Sequence, residues 1–565
     1  MNIPSGRFPT DFPPVGISRV IEGVSPFLNC EFSFLDIDYF RPTFEEIEKT
    51  IISFNPQVIG FSAILTSAYA YLKELHSFIK RKFPHIIQVM GGEMVAMAEI
   101  IMQKTQIDFC VAGESEPTFS NLIARLQKDN FKIDKEDYKS IRGLVFSPGN
   151  SPFFTGYAEE IANIGQINWE LLAKFTNINH YMQKIEGQYY TNRINRHEIN
   201  NFLKLLYPQN TGKRIATLFA SKGCVGKCTF CHRFFKGYKT ENPDTVINYI
   251  EGITKKYNIG LVQFEEENFG SNFSKTLEII SYLKKKRLNW AAGAVRVKTV
   301  NEKVVKIWKD TGCVHVNFGV ESCSQKMLDV MAKGTTVEEN LNALKLLNKY
   351  KIFTVISLVL GMPGESESTV DETILNLSKV IPDDMNMPYE ICINWFQAVP
   401  GTAGYEYARK TGLIGQSIDR EEEYILGLYN MNANDIKHYL NFTDRHIEEI
   451  AYWEDYIFAE LIAAYVKKHG IFNVWRHKAQ RRYKYGVAYM LLPKVARKFM
   501  LKNYIIGRKF GWNKAFHSIL RDFHPGWNPE PKRFKGINRS LREINGETDS
   551  PSESIANIHV LRKGR

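Results

Sequence analysis

Residues 214–234 read RIATLFASKGCVGKCTFCHRF, an apolar segment that runs directly into a cysteine-rich loop. The mostly apolar segment RIATLFA is predicted to be a strand. Cys224, Cys228 and Cys231 follow it with the spacing C-x3-C-x2-C. Three thiolates on one tight loop can bind three corners of a 4Fe-4S cluster and leave the fourth iron open. The bacterial ferredoxin run and a structural zinc site each need a fourth ligand and another spacing.

Five further apolar segments follow this loop, and helical patterns separate them. Six such strand-helix units in sequence predict an open, partial version of the eight-unit TIM-type barrel, a (β/α)6 barrel. In that architecture the chemistry lies at the carboxyl ends of the strands. The segments assigned to the five further strands are LVQFE (261–265), NWAAGA (289–294), VHVNFG (314–319), IFTVISLVL (352–360) and ICINWFQ (391–397).

Residues 1–130 predict a separate α/β unit, a Rossmann-like doubly wound parallel sheet. Its ligand crevice is expected at the carboxyl ends of the strands, in the loops 65–67, 91–94 and 113–115. Thr43 and Glu46 have the spacing of a capping box at the start of one helix. The predicted strands are EFSFLDI (31–37), QVIGFSA (57–63), IIQVM (86–90) and DFCVA (108–112). QVIGFSA is of the all-apolar type that is buried on both faces.

Length sets the remaining outline of the chain. At about 150 residues per domain, 565 residues suggest three or four domains. Residues 131–212 are polar and weakly periodic, which indicates an interdomain linker with some helix. The barrel is expected over 213–420, a mainly helical cap over 421–540 and a mobile tail over 541–565.

Composition excludes several classes of protein. Hydrophobic residues make up 44% and charged residues 24%, which are ordinary values for a globular protein. No run approaches the roughly 18 apolar residues of a membrane-spanning helix, so no transmembrane segment is expected. The eight cysteines are too few for a secreted disulfide framework, and the first residues lack the apolar run of a secretory signal. We therefore predict a cytoplasmic protein.

The cysteine loop resembles that of the radical S-adenosylmethionine (radical SAM) enzymes. In that family the open iron binds S-adenosylmethionine (SAM), and one electron cleaves it to a 5′-deoxyadenosyl radical. The other family motifs are matched in order by QFEEENF (263–269), NFGVESCSQKMLDVMAKGTT (317–336), GMPGES (361–366) and AVPGTAGY (398–405). The resemblance implies that the three cysteines hold the cluster. It also implies SAM contacts from Phe230, Glu266, Glu267, Arg296, Glu321, Ser322 and Gly361.

The N-terminal unit resembles the cobalamin-binding domain that precedes the barrel in one large subfamily. The matching pieces are PPVGIS (13–18), ILTS (64–67), MGGEMVA (90–96) and VAGESEPTF (111–119). The sequence departs from the pattern in two places: the first strand is a stub at MNIP, and GESE stands where many relatives read GEGE. No D-x-H-x-x-G occurs, which favours cobalamin bound without a protein imidazole; a cobalamin-like fold without cobalamin is the alternative. The implied cobalamin contacts are Thr66, Ser67, Gly91, Gly92, Glu93, Gly113 and Glu114.

This resemblance implies a cobalamin-dependent methyltransferase that acts on an unactivated carbon, or on phosphorus, through a 5′-deoxyadenosyl radical and methylcobalamin. Two alternatives stay open. One is a radical SAM cyclase, oxidase or rearrangement enzyme of the same architecture, and the other is a non-catalytic cobalamin or redox sensor. The implied partners are a small-molecule, lipid or peptide substrate and an external electron donor of the flavodoxin or ferredoxin type. The sequence names no catalytic residue on the substrate side.

The basic character of the chain is concentrated near its end. Residues 471–565 carry 21 Lys and Arg against 6 Asp and Glu, a net charge of +15, while the whole chain has +12. Four interpretations are compatible with this charge: a lid whose cations bind an anionic substrate, a membrane-surface helix, a nucleic-acid contact, or a solvated face on a packed helical cap. Nucleic acid is the least favoured of them. Charge alone does not choose among the others.

Overall fold

Two sheets organise the chain in the computed structural model, one within residues 58–154 and the other within 214–395. The predicted mobile tail (541–565) lies outside the described residues. The structure describes residues 1–515 except 5, 7–8, 25–29, 64–65, 134, 150, 159–163, 186–207, 233–236, 386, 388, 429–438, 444 and 478–491.

The first sheet is mixed rather than wholly parallel. Its strands are β1 (Val58–Ser62), β2 (Ile87–Gly91), β3 (Phe109–Val111), β4 (Leu144–Phe146) and β5 (Phe153–Phe154), and they lie in that order. β1 to β3 are parallel as predicted, whereas β4 and β5 are antiparallel. These two short strands come from the segment that we read as linker. Their three and two residues are too few to give a periodic signal.

Helices cover both faces of this sheet. They are α1 (Val15–Val24), α2 (Ile37–Phe40), α3 (Phe44–Phe54), α4 (Tyr69–Lys82), α5 (Ala98–Lys104) and α6 (Ser115–Lys128). The predicted capping box is confirmed, because Thr43 and Glu46 each bond the other's free backbone N–H at the start of α3. Short 3-10 turns at Thr66–Ala68 and Glu93–Met97 follow β1 and β2.

The predicted strand at 31–37 is wrong. This segment forms a single bridge, between Asp36 and Asn2, and then turns into α2. Asp36 is fully buried and caps α2 by accepting a hydrogen bond from the Tyr39 N–H. It also accepts hydrogen bonds at 2.6 Å from the hydroxyls of Thr176 and Tyr181. A buried carboxylate with several donors fixes the chain here, in place of a strand ladder.

The second sheet contains the six predicted parallel strands. They are β6 (Arg214–Leu218), β9 (Ile259–Phe264), β10 (Asn289–Val295), β11 (Cys313–Glu321), β12 (Phe353–Leu360) and β13 (Tyr389–Trp395), and they lie side by side in chain order. After β6, a small antiparallel hairpin is formed by β7 (Ser221–Gly223) and β8 (Tyr238–Thr240). The connecting helices are α9 (Pro243–Tyr257), α10 (Phe273–Lys285), α11 (Glu302–Asp310), α12 (Gln325–Val330), α13 (Val337–Lys349) and α14 (Glu367–Ser378), preceded in the 131–212 segment by α7 (Trp169–Ala173) and α8 (Ile178–Tyr181).

Strand order leaves the second sheet with an outer and an inner face. Right-handed crossovers between strands in unreversed order place all connecting helices on one side. The main apolar core accordingly joins residues of α9 and α10 to one face of the strands. The other face carries a small apolar cluster that contains no residue of those helices. Its buried members are Ile185, Ile215, Leu261, Ala291, Val314, Phe353, Val355 and Met387.

Helices after the barrel tie the two sheets together. They are α15 (Ala403–Lys410), α16 (Ile418–Gly427), α17 (Ile447–Ile450), α18 (Trp453–His469), α19 (Ile471–His477) and α20 (Lys494–Phe510). Glu422 of α16 accepts hydrogen bonds from Tyr69 (2.7 Å) and Lys73 (2.6 Å) of α4. No helix among the described residues is long and apolar enough to cross a membrane.

Basic α20 packs on the helical cap through ion pairs. Arg497 pairs with Glu460 of α18 at 2.5 Å, and Lys494 pairs with Asp371 of α14 at 2.8 Å. Lys498 also pairs with Glu367 of α14. For this helix the packed-cap interpretation is favoured, because these cations are matched within the chain. The other basic residues of the segment lie largely outside the described part.

The ion pair between Arg409 and Glu421 provides a test of this packing. The two side chains are only 9% and 1% exposed. Arg409→Leu leaves the buried Glu421 carboxylate without its cation, so we expect the free energy of unfolding to fall by about 3 kcal/mol in urea denaturation followed by tryptophan fluorescence. The control is Arg420→Ala, which removes an exposed pair with Glu423 on the same helix and is expected to have no measurable effect. Equal losses in the two variants would contradict the account.

Candidate functional site

The cysteine loop folds around Gly226. The backbone N–H of Gly226 donates to the Sγ of Cys224 at 3.3 Å, and the Cys231 N–H donates to the Cys228 carbonyl at 3.3 Å. A Cβ on Gly226 would lie 3.4 Å from the Cys224 Sγ and 3.6 Å from the Cys228 Sγ. Among the described residues, no group of three His, Cys, Asp or Glu side chains could hold a metal ion. The sulfur atoms of Cys224 and Cys228 thus lie close to the same glycine, and cysteine thiolates are the ligands that hold 4Fe-4S clusters.

Two predicted SAM contacts lie beside this loop. The guanidinium carbon of Arg296 would be 3.6 Å from a Cβ on Gly226, so the cation lies over the cysteines. Glu266 accepts hydrogen bonds from the backbone N–H groups of Ala220 (2.6 Å) and Ser221 (2.9 Å), where β6 passes into the loop. Burial raises the pKa of Glu266 to about 7, and these N–H groups oppose that rise. Its carboxylate thus holds the base of the loop.

Glu321 is brought to the cysteines together with a lysine that the sequence interpretation missed. Glu321 lies at a bulge of β11 in the left-handed region, with φ 62°, and its carboxylate bonds the Nζ of Lys333 at 2.7 Å. Both side chains are about nine-tenths buried. Burial raises the pKa of the Cys228 thiol, while the charges of Lys333 and Arg296 lower it. Lys333 stands in the quoted segment MAKGTT, twelve residues after Glu321.

The remaining predicted SAM contacts are placed differently. Burial, Cys228 and then Glu267 raise the pKa of the Cys231 thiol, so Glu267 lies near that cysteine. Phe230 packs against the main core. The hydroxyl of Ser322 accepts a hydrogen bond from the Ser324 N–H and bonds the hydroxyl of Thr373. Ser322 therefore does not join the side chains around the cysteines.

Gly361 lies in the turn after β12, and Tyr439 packs against it. Gly361 has φ 86°, and a Cβ there would lie 2.5 Å from the Tyr439 hydroxyl, which donates to the Gly361 carbonyl. Glu365 accepts hydrogen bonds from the backbone N–H groups of Gly361 and Met362. Burial raises the pKa of Glu365 to about 8. The turn is thus held by two residues that the sequence did not mark.

The predicted cobalamin loops contact the cysteine loop directly. Glu114, at the start of α6, pairs with Lys222 of β7 at 2.9 Å. Glu93, after β2, lies 3.3 Å from the Nδ1 of His232, which follows Cys231. The carboxyl ends of the strands in the two sheets therefore face one another. Neither Lys222 nor His232 was singled out by the sequence, because their partners are more than 100 residues away.

A cavity of about 510 Å³ opens beside the first sheet, between the sheet, α1 and α6. Gly91 and Gly92 line it, together with Gly60 and Ser62 of β1. Alternate residues of β1 are partly exposed because they face this cavity, so the strand is not buried on both faces as expected. The described lining has no histidine. The lining also includes apolar side chains of α1, β2, β3 and α6, among them Ile17, Val20, Val89, Val111 and Phe119.

The other predicted cobalamin contacts flank this cavity rather than line it. Thr66 and Ser67 form the 3-10 turn after β1 and are partly buried. Gly113 has φ 83°, and a Cβ there would lie 3.0 Å from the ring of Tyr157. Gly92 is the tightest point, since a Cβ would lie 2.5 Å from the Ala63 carbonyl oxygen. These close approaches require glycine.

Family models match both halves of this arrangement. Residues 218–377 match the radical SAM superfamily, and residues 3–123 match the B12 binding domain. The chain thus carries a radical SAM domain and a B12-binding domain. This combination is that of a cobalamin-dependent radical SAM enzyme. The expected cofactors, a 4Fe-4S cluster, SAM and cobalamin, are thereby confirmed as those of its two domains.

Known relatives carry out different reactions. The chain is 27% identical over 387 residues to an uncharacterized methyltransferase of Pyrococcus horikoshii, covering 66% of this chain and 73% of that protein. It is 24% identical over 374 residues to the anaerobic magnesium-protoporphyrin IX monomethyl ester cyclase of Cereibacter sphaeroides, covering 64% of this chain and 56% of the cyclase. The match thus spans little more than half of the cyclase.

A solved structure shows the same fold along most of the chain. The selenomethionine-labelled apo form of OxsB, a cobalamin-dependent SAM radical enzyme, matches with a TM-score of 0.54 and 16% identity. The match covers 96% of this chain and 80% of that one.

Substitution of one cysteine tests the proposed ligand set. After anaerobic reconstitution, we expect Cys228→Ser to lose most of the cluster iron, measured per chain together with the visible absorbance, because a serine hydroxyl is a poor iron ligand at this position. The matched control is Cys30→Ser, a partly buried cysteine of the first unit, which should keep the wild-type iron content. Wild-type iron in Cys228→Ser would remove this cysteine from the ligand set.

Proposed function

We propose that this protein is a methyltransferase that methylates an unactivated carbon, or phosphorus, of its substrate. One observation carries the proposal: the Lys222–Glu114 and His232–Glu93 contacts bring the carboxyl edges of the two sheets together. A substrate between these edges can meet both cofactors at once, which methyl transfer by radical chemistry requires. The methyltransferase of Pyrococcus horikoshii among the relatives also supports it.

The first sheet would hold cobalamin. The cavity lined by Gly60, Ser62, Gly91 and Gly92 suits the nucleotide tail, whose aromatic base is apolar, since glycines permit close approach of the backbone. Thr66, Ser67, Gly113 and Glu114 would lie around the ring. The first unit extends through β5 to residue 154, past the boundary expected at 130, and we propose the further domain boundaries near 213 and 420.

The second sheet would hold the cluster and SAM. Cys224, Cys228 and Cys231 would bind three irons, and Arg296 and Lys333 are the cations near them that can bind the SAM carboxylate. Glu266 keeps the loop in position through the Ala220 and Ser221 N–H groups. When bound, the cluster supplies the electron that cleaves SAM, and cobalamin supplies the methyl group.

A radical cyclase of the same architecture is the second candidate. The cyclase of Cereibacter sphaeroides favours it, at an identity close to that of the methyltransferase. The two reactions differ in their SAM products: methyl transfer yields S-adenosylhomocysteine as well as 5′-deoxyadenosine, while cyclisation yields only the latter.

A product analysis separates these functions. The reconstituted protein is incubated without oxygen with hydroxocobalamin, SAM and a strong reductant, and both products are quantified by mass spectrometry. We expect both, with S-adenosylhomocysteine formed only when cobalamin is present. Formation of 5′-deoxyadenosine alone contradicts methyl transfer and favours the cyclase, and neither product from a protein with an intact cluster contradicts both.

Filling the cavity should weaken cobalamin binding. A Cβ on Gly60 meets no atom within 4 Å, so Gly60→Val fits the strand and fills open space in the cavity. We expect the hydroxocobalamin affinity to fall about tenfold in an absorbance titration, with unchanged cluster iron. Gly252→Ala on α9, where a Cβ also meets open space, is the control for glycine replacement. Unaltered affinity in Gly60→Val would place cobalamin elsewhere.

A further inference from the structure

The inner face of the second sheet carries a polar row above its apolar floor. Gln263 pairs in register with Ala291, and Asn317 pairs with Val355, and both partners belong to the apolar cluster of this face. Ser357 follows Val355 by two residues on β12, and Asn394 pairs with Val359, two residues further on. Alternation along parallel strands therefore puts all these polar side chains on the inner face.

Solvent reaches part of this row, whereas Gln263 is buried like the strands around it. Asn317 and Gly319 are the two partly exposed residues of β11, and Ser357 is the one in β12. On β10, Gly293 is also partly exposed. The open space thus begins above the apolar floor and leads towards the carboxyl edge, where the cysteine loop lies.

Glu265 projects into this space, and no cation among the described residues pairs with it. It follows Gln263 by two residues and lies against Gly293, where a Cβ would come within 2.5 Å of the Glu265 Oε2. Burial raises the pKa of Glu265 to about 7, and the Gln263 side chain opposes that rise. Glu321, by contrast, has Lys333 at 2.7 Å. No ion pair to Glu265 is found in the part of the chain that the structure describes. A desolvated carboxylate of this kind is costly until a cation meets it.

We propose that Glu265 binds a protonated nitrogen of the substrate, so that the substrate whose carbon this enzyme methylates is an amine, an amidine or a guanidine. Gln263, Asn317 and Ser357 supply neutral hydrogen bonds around the same space, and Gly293 leaves room for the carboxylate. This assignment rests on the proposed methyl transfer and names its substrate class. It replaces the anionic substrate that the basic C-terminal segment suggested, since Lys494, Arg497 and Lys498 of α20 pair with acidic residues of this chain.

Methyl-labelled SAM and a fractionated cell extract test the assignment. A small-molecule extract is separated at neutral pH into cation-exchange-bound, anion-exchange-bound and unbound fractions, and each is incubated with the loaded holoenzyme. Glu265→Gln removes the charge, Gly293→Ala displaces the carboxylate, and Glu278→Gln on the exposed side of α10 is the control. Formation of 5′-deoxyadenosine without extract is measured for every variant.

The expected label appears in the cation-exchange-bound fraction. It should fall about tenfold or more in Glu265→Gln and Gly293→Ala, as loss of a charged hydrogen bond implies, and stay unchanged in Glu278→Gln. Label in another fraction, or full label in Glu265→Gln, overturns the substrate class and leaves methyl transfer intact. Loss of extract-free 5′-deoxyadenosine in Glu265→Gln also overturns it, because Glu265 would then serve SAM.

Failure of the proposed methyl transfer has a separate signature. If no fraction is labelled by the wild type, the readout becomes the stimulation of 5′-deoxyadenosine formation by each fraction. If the cationic fraction stimulates the wild type and not Glu265→Gln, that result supports an amine-binding site at Glu265 that serves another radical reaction. Stimulation by a different fraction, or none, overturns the site.

Discussion

An ion pair joins the two halves of this molecule at the place where their chemistry must meet. Lys222, two residues before the first cysteine, bonds the carboxylate of Glu114, which begins the last helix of the first unit. The Glu114 side chain is only 6% exposed, so the pair is shielded from water and sensitive to loss of either partner. With Glu93 and His232 alongside, it fixes the carboxyl edge of one sheet against that of the other. The position of both cofactor sites depends on this contact.

Buried carboxylates near that junction are stabilised in three different ways. Glu321 has a lysine, Glu266 has two backbone N–H groups, and Glu265 has a neutral glutamine side chain. The first two are satisfied within the chain and hold the cysteine loop and the end of β11 in place. Glu265 has no cationic partner among the described residues, and a positively charged group of the substrate can supply one. The partners of these carboxylates thus separate Glu321 and Glu266, which hold the site in place, from Glu265, which selects the substrate.

Local patterns predicted most of the architecture. All six barrel strands and the capping box at Thr43 follow from apolar segments and short spacings, and the structure confirms them. The prediction of a strand at 31–37 was wrong because Asp36 is held by Thr176 and Tyr181, which lie about 140 residues away in the sequence. β4 and β5 were missed because strands this short have no readable period.

The sequence also predicted only some residues of the candidate site. The cysteines, Arg296 and Glu321 stand in recognisable spacings, and the structure brings them together. Lys333 and Glu265 lie in segments that were already quoted, yet their roles depend on a bulge and on a glycine of a neighbouring strand. The contacts of Lys222 and His232 join distant parts of the chain and leave no local signal. Register along β9 could have marked Glu265, since it shares the face of Gln263.

The central claim is that the two cofactor sites face one another across a single substrate space. The most direct measurement is electron paramagnetic resonance of the protein loaded with cob(II)alamin and a reduced cluster. The account predicts that the two paramagnets interact, seen as broadening and faster relaxation of the cobalt signal compared with protein that holds cobalamin alone. A cobalt signal whose shape and relaxation are the same with and without the reduced cluster would contradict it.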